Sequence, residues 1–219
     1  MRWPFLLCFA LQLSAADDPR WPLTDVERRA YGAIGRVVTA AESGRGTGTL
    51  VHRRWLLTSH HLFASDRWQP ARLELSDGGV CQIVAVVRPE RSVDVAFARL
   101  RCPIGQRMPV PLEMRAAPRA ERFVTVGFPG DLAEGRQPFA QRCAGRTAGH
   151  QLMSDCWFHP GASGQPLMFH GVVVGVAVGT WMPAGTGGLP RWSARRGLAV
   201  SLSAEMISTL QRLTMRPSR

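Results

Sequence analysis

Short apolar runs separated by polar turns recur along most of this chain. Residues 48–51 and 55–58 are two such runs, with a polar His-Arg-Arg turn at residues 52–54 between them. Further runs, each bounded by glycine, aspartate, proline or arginine, occupy residues 73–75, 81–87, 93–100, 123–128 and 171–179. Short runs with turn residues between them are typical of antiparallel strands. The pattern therefore predicts an all-β protein built as a sandwich or from barrels.

One helix is predicted, at the C-terminal end of the chain. Ser203 is a suitable N-cap, and Met206, Leu210 and Leu213 recur at helical spacing. We expect this apolar stripe to pack on the body of the protein rather than to bind a partner.

Three prolines between residues 109 and 118 interrupt the strand pattern and indicate a linker. We therefore predict an N-terminal domain over residues 17–112 and a C-terminal domain over residues 113–219. The segment 181–197, rich in glycine, proline and arginine, is interpreted as a surface loop.

The N-terminus has the three parts of an export signal. Arg2 supplies a positive start, residues 5–13 form a short apolar stretch, and Ser-Ala-Ala at residues 14–16 offers small residues for cleavage. The apolar stretch is too short to span a bilayer stably, so we expect no transmembrane segment in the mature chain. We expect a signal peptide at residues 1–16 and a secreted or periplasmic protein, with a retained apolar helix as the alternative.

Removal of that signal leaves four cysteines, Cys81, Cys102, Cys143 and Cys156. An even number in an exported chain favours two disulfides, and three pairings are open. Sequential pairing would close modest loops, each worth about 3 kcal/mol in the chain-entropy model. Four buried free thiols are the alternative. The cysteines lack the close spacing of zinc ligands, and no metal or organic cofactor is implied.

The chain carries a formal charge of +11 at pH 7, and all 27 of its basic residues are arginine. Such a charge attracts nucleic acid and anionic surfaces. The arginines are scattered, however, without the long basic run or the aromatic-interleaved stripe of a nucleic-acid-binding protein. We therefore expect a basic solvated surface and no nucleic-acid partner. Electrostatic contact with an anionic envelope surface is the alternative.

Three segments carry the residue types that activate a nucleophile. A serine hydroxyl reacts readily only when an imidazole accepts its proton, and a carboxylate must orient that imidazole. Ser163 lies between glycines that permit a tight turn, the histidine pair at residues 60–61 ends an apolar run, and Asp94 lies among apolar residues. Taken singly, these features fit a structural loop, a surface histidine pair and a strand-edge aspartate. Together they predict a catalytic site.

These segments resemble those of the trypsin-like, chymotrypsin-fold serine endopeptidases, and most of all the bacterial branch related to staphylococcal glutamyl endopeptidase. The likeness covers nearly all of the chain from about residue 30 onward. The similar segments of this chain follow, each with the sequence of the branch in parentheses. They are residues 46–51 (branch Cys-Thr-Gly-Thr-Leu-Val), the segment ending at His61 (branch Leu-Thr-Ala-Ala-His), 94–96 (branch Asp-Ile-Ala), 126–131 (branch Gly-Tyr-Pro-Gly-Asp), 155–156 (branch Asp-Cys) and 161–166 (branch Gly-Asn-Ser-Gly-Ser-Pro).

The resemblance implies a role for each of these residues. His61 would be the general base, with His60 where relatives carry alanine, Asp94 would orient it, and Ser163 would be the nucleophile. The amides of Gly161 and Ser163 would form the oxyanion hole. The implied fold is two packed six-stranded antiparallel β-barrels with a C-terminal α-helix. The implied activity is hydrolysis of peptide bonds in protein or peptide substrates through an acyl-enzyme, without a cofactor. The alternative is a catalytically silent protein of the same fold that binds peptides or anionic envelope surfaces.

Some positions depart from the family pattern and others keep it. Gly46 and Leu62 stand where relatives carry two cysteines that bridge each other beside the histidine. Ala162 stands where trypsin has the aspartate that pairs with a newly cut N-terminus, so activation by that ion pair is not expected. Cys143 and Cys156, in contrast, resemble a disulfide of this branch, which favours sequential pairing of the cysteines.

The candidate specificity pocket is assigned by resemblance to Trp157, Ala177 and Gly179. Ala177 takes the place of a histidine that helps glutamyl-specific relatives bind an acidic side chain, and Trp157 takes the place of trypsin's acidic pocket base. Neither strict glutamate nor strict arginine or lysine preference is therefore implied. We expect a small or apolar substrate side chain.

Overall fold

The computed structural model describes residues 19–40, 45–65, 68–103, 106, 108–109, 111–116, 120–181 and 196–215. This part begins with strand β1 (Arg20–Pro22) and helix α1 (Asp25–Ala30) and continues into two β-barrels. The predicted signal peptide and most of the loop predicted at residues 181–197 lie outside the described residues. Within them, no helix has both the length and the apolar character needed to cross a bilayer.

Six antiparallel strands close the first barrel in the order β2-β3-β4-β7-β6-β5. They are β2 (Ile34–Val38), β3 (Arg45–His52), β4 (Trp55–Thr58), β5 (Ala71–Leu75), β6 (Val80–Val87) and β7 (Ala96–Arg101). In β5, Ala71, Leu73 and Leu75 are buried while Arg72 is exposed and Glu74 is partly exposed. This alternation is expected for a strand with one face on a core.

The second barrel also has six antiparallel strands. They are β8 (Ala120–Gly127), β9 (Phe139–Ala148), β10 (Gln151–Ser154), β11 (Pro166–Phe169), β12 (Val172–Trp181) and β13 (Arg196–Ser201). Their order is β9-β10-β13-β12-β11-β8, and pairing of β8 with β9 closes the ring. Closure leaves no unpaired barrel edge. The predicted fold of two six-stranded barrels is thus confirmed.

Buried side chains from both barrels meet in one apolar cluster. Leu57 and Phe97 of the first barrel and Val126 and Val176 of the second belong to it, and none is more than 1% exposed. The backbone crosses between the barrels close by, since the amide of Leu112 donates to the first barrel and that of Arg115 to the second. Burial of this kind stabilises by roughly 25 cal/mol per Å² of apolar surface. The two barrels are therefore joined by a packed apolar core.

The C-terminal helix is confirmed as α2 (Ala204–Met215). The hydroxyl of Ser203 accepts a hydrogen bond from the amide of Met206 at 3.1 Å, as an N-cap does. Met206 is fully buried and Leu210 nearly so, in the cluster that joins the barrels. The predicted apolar stripe therefore packs on the protein's own body.

The N-terminal elements β1 and α1 were not predicted. Thr24 and Glu27 form a reciprocal capping box that starts α1. Strand β1 pairs antiparallel with β9, so residues 20–22 lie on the second barrel although they precede the first. The N-terminus of the described chain consequently reaches the half of the molecule that carries Ser163.

Both disulfides follow the sequential pairing. Cys81 and Cys102 join β6 to the segment after β7, and Cys143 and Cys156 join β9 to the segment after β10. Each disulfide therefore lies within one barrel, and neither crosses the cleft.

Candidate active site

Pairing of β4 with β7 brings His61 and Asp94 together. Thr58 at the end of β4 lies opposite Ala96 at the start of β7, so the residues just beyond these ends meet. The carboxylate of Asp94 accepts the backbone amide of His61 at 2.7 Å and contacts its ring Nδ1 at 2.6 Å. A carboxylate on Nδ1 favours the tautomer with the proton there and leaves Nε2 as the basic nitrogen.

His60, the other histidine of the pair, has a different environment. Partial burial lowers the pKa of its imidazole, the nearby charge of Arg88 lowers it further, and the charge of Asp94 opposes this effect. His60 is therefore neutral at neutral pH. Of the two histidines, His61 makes the hydrogen bond with the carboxylate.

Ser163 lies in a turn that depends on two glycines in the left-handed region. Gly161 has φ of +93° and Gly164 has φ of +87°. A Cβ on Gly161 would lie 2.5 Å from the carbonyl oxygen of Phe128, and one on Gly164 would lie 2.0 Å from that of Thr47. Both contacts are shorter than van der Waals separation, so only glycine fits at either place.

The backbone amides around Ser163 alternate between bonded and free. The amides of Ala162 and Gly164 donate to the carbonyls of His159 and Ala177 at 2.9 and 2.7 Å. Within the described part of the chain, the amides of Gly161 and Ser163 donate to no acceptor. Two free amides, two residues apart on a tight turn, are the donor set that an oxyanion requires.

Thr47 of β3 holds the serine turn from the other barrel. Its amide donates to the carbonyl of Ser163 at 2.7 Å, and its hydroxyl donates to the carbonyl of Gly161 at 3.0 Å. The same hydroxyl accepts the amide of Phe128 at 3.1 Å, and the hydroxyl of Thr58 donates to the carbonyl of Thr47 at 2.6 Å. Because Thr47 and Thr58 are fully buried, water does not compete for these bonds.

One carbonyl oxygen joins the histidine and serine segments. The hydroxyl of Ser59, two residues before His61, donates to the carbonyl of Ala177 at 2.8 Å. The amide of Gly164, next to Ser163, donates to the same oxygen at 2.7 Å. The backbone segments that carry His61 and Ser163 therefore lie next to each other where the two barrels meet.

Gly46 and Leu62, which replace a cysteine pair of relatives, are in contact. A Cβ on Gly46 would lie 2.4 Å from Cδ1 of Leu62 and 2.8 Å from the carbonyl oxygen of Ser163. The leucine side chain therefore occupies the space beside Gly46. Apolar packing takes the place of a covalent link beside the histidine.

The segment at residues 126–131 packs against the chain on either side of Ser163. The amide of Gly130 donates to the carbonyl of Pro160 at 2.6 Å. A Cβ on Gly127 would lie 2.7 Å from the side chain of Gln165, which is buried. The glycines of this motif thus allow close approach of two backbone segments.

The candidate specificity residues occupy three different environments. The backbone of Trp157 exchanges two hydrogen bonds of 3.0 Å with the side chain of Gln141. Ala177 is fully buried in the core of the second barrel, and Gly179 is partly exposed with open space around it.

Phe158, which the sequence analysis did not single out, is buried next to these residues. It belongs to the same apolar cluster as Ala162 and Ala177. A Cβ on Gly197 would lie 2.8 Å from the phenylalanine ring. The ring therefore lies against Gly197, in the same buried core as Ala162 of the serine turn. Its position directly after Trp157 was the one signal in the sequence that pointed to it.

An ion pair links the N-terminal strand to the serine turn. The guanidinium of Arg20 donates to both oxygens of Asp131 at 2.9 and 2.8 Å, and only 5% of the Arg20 side chain is exposed. Nδ1 of His159 lies 3.4 Å from the same carboxylate. Since the carbonyl of His159 accepts the amide of Ala162, this network reaches the residue beside Ser163. Residues 20 and 131 are too distant in sequence for the pair to be foreseen.

Solved structures share this architecture. A Glu endopeptidase in complex with MPD superimposes with a TM-score of 0.73 and 15% identity, over 92% of this chain and 99% of that chain. The thermostable serine protease AL20, from an extremophilic microorganism, gives a TM-score of 0.69 and 13% identity, over 86% and 100%. A human heparin binding protein gives 0.65 and 14%, over 91% and 97%. These likenesses concern the fold.

The sequence itself carries the family assignment. No curated protein sequence matches the chain significantly. The family model described as trypsin-like peptidase domain matches residues 46–176, which is more than half of the chain and includes the segments of His61, Asp94 and Ser163. The chain therefore belongs to the trypsin-like peptidase family.

Proposed function

We propose that this protein is an exported serine endopeptidase in which Ser163, His61 and Asp94 form the catalytic triad. The observation that carries the proposal is the double hydrogen bond of Asp94 to His61, made beside a turn where the amides of Gly161 and Ser163 are free among the described residues. Base, orienting carboxylate, nucleophile and oxyanion donors are all needed for acyl transfer.

Acylation would proceed by attack of Ser163 Oγ on the substrate carbonyl carbon. Nε2 of His61 accepts the hydroxyl proton as the new C–O bond forms, and Asp94 stabilises the resulting imidazolium. The amides of Gly161 and Ser163 receive the negative charge on the carbonyl oxygen, a contribution of about 3 kcal/mol for each donor. His61 then protonates the leaving amine as the C–N bond breaks.

Deacylation would repeat these steps with water as the nucleophile. His61 removes a proton from the water, the tetrahedral intermediate collapses, and the proton returns to Ser163 Oγ. The exposure of His61, whose side chain is 42% accessible, leaves room for substrate and then water to approach.

We expect the side chain that precedes the cleaved bond to be small. Trp157, Ala177 and Gly179 remain the proposed pocket residues. Phe158 is buried in the same apolar cluster as Ala177, and its ring lies against Gly197. A large side chain that entered this cluster would have to displace packed core groups, which is costly. Alanine or glycine would fit without such movement.

Export fits the two disulfides, since such bonds persist in oxidising compartments. The proposed location is therefore extracellular or periplasmic, and the proposed partners are protein or peptide substrates.

Binding of an anionic polymer or envelope surface is the second candidate. The net charge of +11 favours it, and a human heparin binding protein shares the fold. A protein that acted only in this way would not need an activated serine.

Labelling with a fluorophosphonate probe distinguishes the two candidates. We expect purified mature protein to form a covalent adduct on Ser163 and the Ser163→Ala variant to form none. A known serine protease in the same tube confirms that the probe is active. Failure of the native protein to react, combined with salt-sensitive retention on heparin, would reject the protease in favour of the binding protein.

A further inference from the structure

A cavity of about 460 Å³ opens beside the proposed oxyanion donors. Gly161 and Pro160 of the serine turn line one side of it, and Gly46 lines the other. Gly46 lies against the carbonyl of Ser163, because a Cβ placed there would approach that oxygen to 2.8 Å. A substrate residue close to the cleaved bond would therefore enter this cavity.

Most charged groups in the cavity wall are already paired. Arg36 donates to Glu74 through Nε at 2.9 Å, Asp131 binds Arg20 and His159, and Glu134 binds Arg136 at 2.7 Å. These pairs compensate one another within the protein.

Arg45 is the exception in the wall. Its side chain is exposed, and among the described residues its guanidinium has no hydrogen-bond acceptor and no ion-pair partner. Five donors on a rigid planar group match a carboxylate in two-point geometry. Among the described residues of the wall, the uncompensated charge is therefore positive and belongs to Arg45, the residue next to Gly46.

We propose that this cavity is a substrate subsite in which Arg45 binds a carboxylate side chain near the cleaved bond. The inference deepens the proposed protease function and rests on it. The apolar surface of Pro160 would pack on the methylene groups of a glutamate or aspartate, while Arg45 binds the charged end. The small residue at the cleaved bond and the acidic residue in this cavity would together define the substrate.

Cleavage profiling of a peptide library tests this subsite. We expect one position near the cut to be enriched in glutamate and aspartate, and C-terminally amidated peptides to show the same enrichment, which excludes a free C-terminal carboxylate as the group bound. Matched peptides with glutamate or glutamine at that position then give a ratio of kcat/KM values. That ratio should exceed one for the native enzyme and fall with added salt.

Three variants make the test specific. Arg45→Gln should lower the ratio by up to about fivefold, the upper end of the effect of one exposed ion pair. Glu74→Gln frees Arg36 to act in the same cavity and should raise the ratio. Arg53→Gln removes an exposed arginine just beyond the other end of β3, about 25 Å away at the rise of a strand, and should leave the ratio unchanged.

The results separate this inference from the function on which it rests. A protein that resists the fluorophosphonate probe would contradict the protease itself. A protein that is labelled, yet shows a ratio of one or a ratio that Arg45→Gln leaves intact, would overturn only the subsite.

Discussion

The histidine side and the serine side of the candidate site are held in different ways. His61 and Asp94 both belong to the first barrel and contact each other through the carboxylate, with 42% and 32% of their side chains exposed. Ser163 is held through its backbone, by Thr47 of the other barrel and by two glycines of positive φ. Changing the Asp94 side chain should therefore reduce activity with little effect on the fold. Changing the backbone of the turn that carries Ser163 should instead destabilise the fold.

Asp94→Asn should have the largest effect on activity. The amide nitrogen of asparagine would favour the wrong tautomer of His61, and kcat should fall by about 10⁴-fold, as in the family's archetype. Thermal unfolding should change little, because asparagine still accepts the backbone amide of His61. Asp77→Asn, in an exposed turn, is the control. A kcat within about tenfold of the native value would mean that Asp94 does not orient the base.

Gly164→Ala should unfold or strongly destabilise the second barrel. Its Cβ would overlap the carbonyl of Thr47 and the hydroxyl of Thr58, at 2.0 and 2.2 Å, and we expect a loss of about 4 kcal/mol or more in unfolding free energy. Gly171→Ala is a matched control, because Gly171 has φ of +80° but open space around it. Denaturant unfolding measures both. Equal losses would show that backbone strain, not the contact with Thr47, sets the cost.

Arg20→Ala should weaken the serine side from a distance. It leaves the carboxylate of Asp131 without its bidentate partner, and we expect a loss of about 2 kcal/mol in unfolding free energy with slower fluorophosphonate labelling. Arg136→Ala breaks an exposed pair with Glu134 and should cost less than about 0.5 kcal/mol. If labelling keeps its native rate while stability falls, the network stabilises the fold without positioning the turn.

Glu74→Gln should have the smallest effect on stability, and that effect should depend on pH. Burial raises the pKa of Glu74, but hydrogen bonds and charge from Arg36 and Arg72 outweigh it, so the pKa lies below the ordinary value of 4.5. A lowered carboxyl pKa stabilises the fold above pH 4.5, and this contribution disappears as the pH falls through the folded-state pKa.

Unfolding at several pH values checks this prediction. The difference in unfolding free energy between the native protein and Glu74→Gln should be below about 1 kcal/mol at pH 7 and should vanish in strong acid. Glu113→Gln removes a much more exposed partner of Arg115 and should change the unfolding free energy by less than about 0.5 kcal/mol. A difference that persists in acid would assign the effect to packing instead of charge.

The sequence predicted what depends on local pattern. The run at residues 123–128 lies largely in a strand, because an apolar segment of this length is stabilised when it pairs and buries its side chains. Ser203 caps α2 because a cap acts within one turn. The histidine, aspartate and serine segments were located by motif, and the structure places the first two in hydrogen-bond contact.

What escaped prediction depends on contacts between distant residues. Arg20 and Asp131 are 111 residues apart, and neither is unusual in its own segment. Thr47 was part of a quoted motif, but its role in holding Ser163 appears only when two barrels meet. Phe158 was missed for the same reason, because the residues that bury its ring come from distant parts of the sequence.

The contact of Gly46 with Leu62 has a consequence for redox chemistry. Where a cysteine pair would make the surroundings of the base sensitive to thiols, this packing contains no bond that a reductant can break. Reduction would instead act on the disulfide within each barrel, Cys81–Cys102 in the first and Cys143–Cys156 in the second. A thiol reagent would therefore loosen each barrel through its own disulfide, without breaking a covalent link between the positions of Gly46 and Leu62.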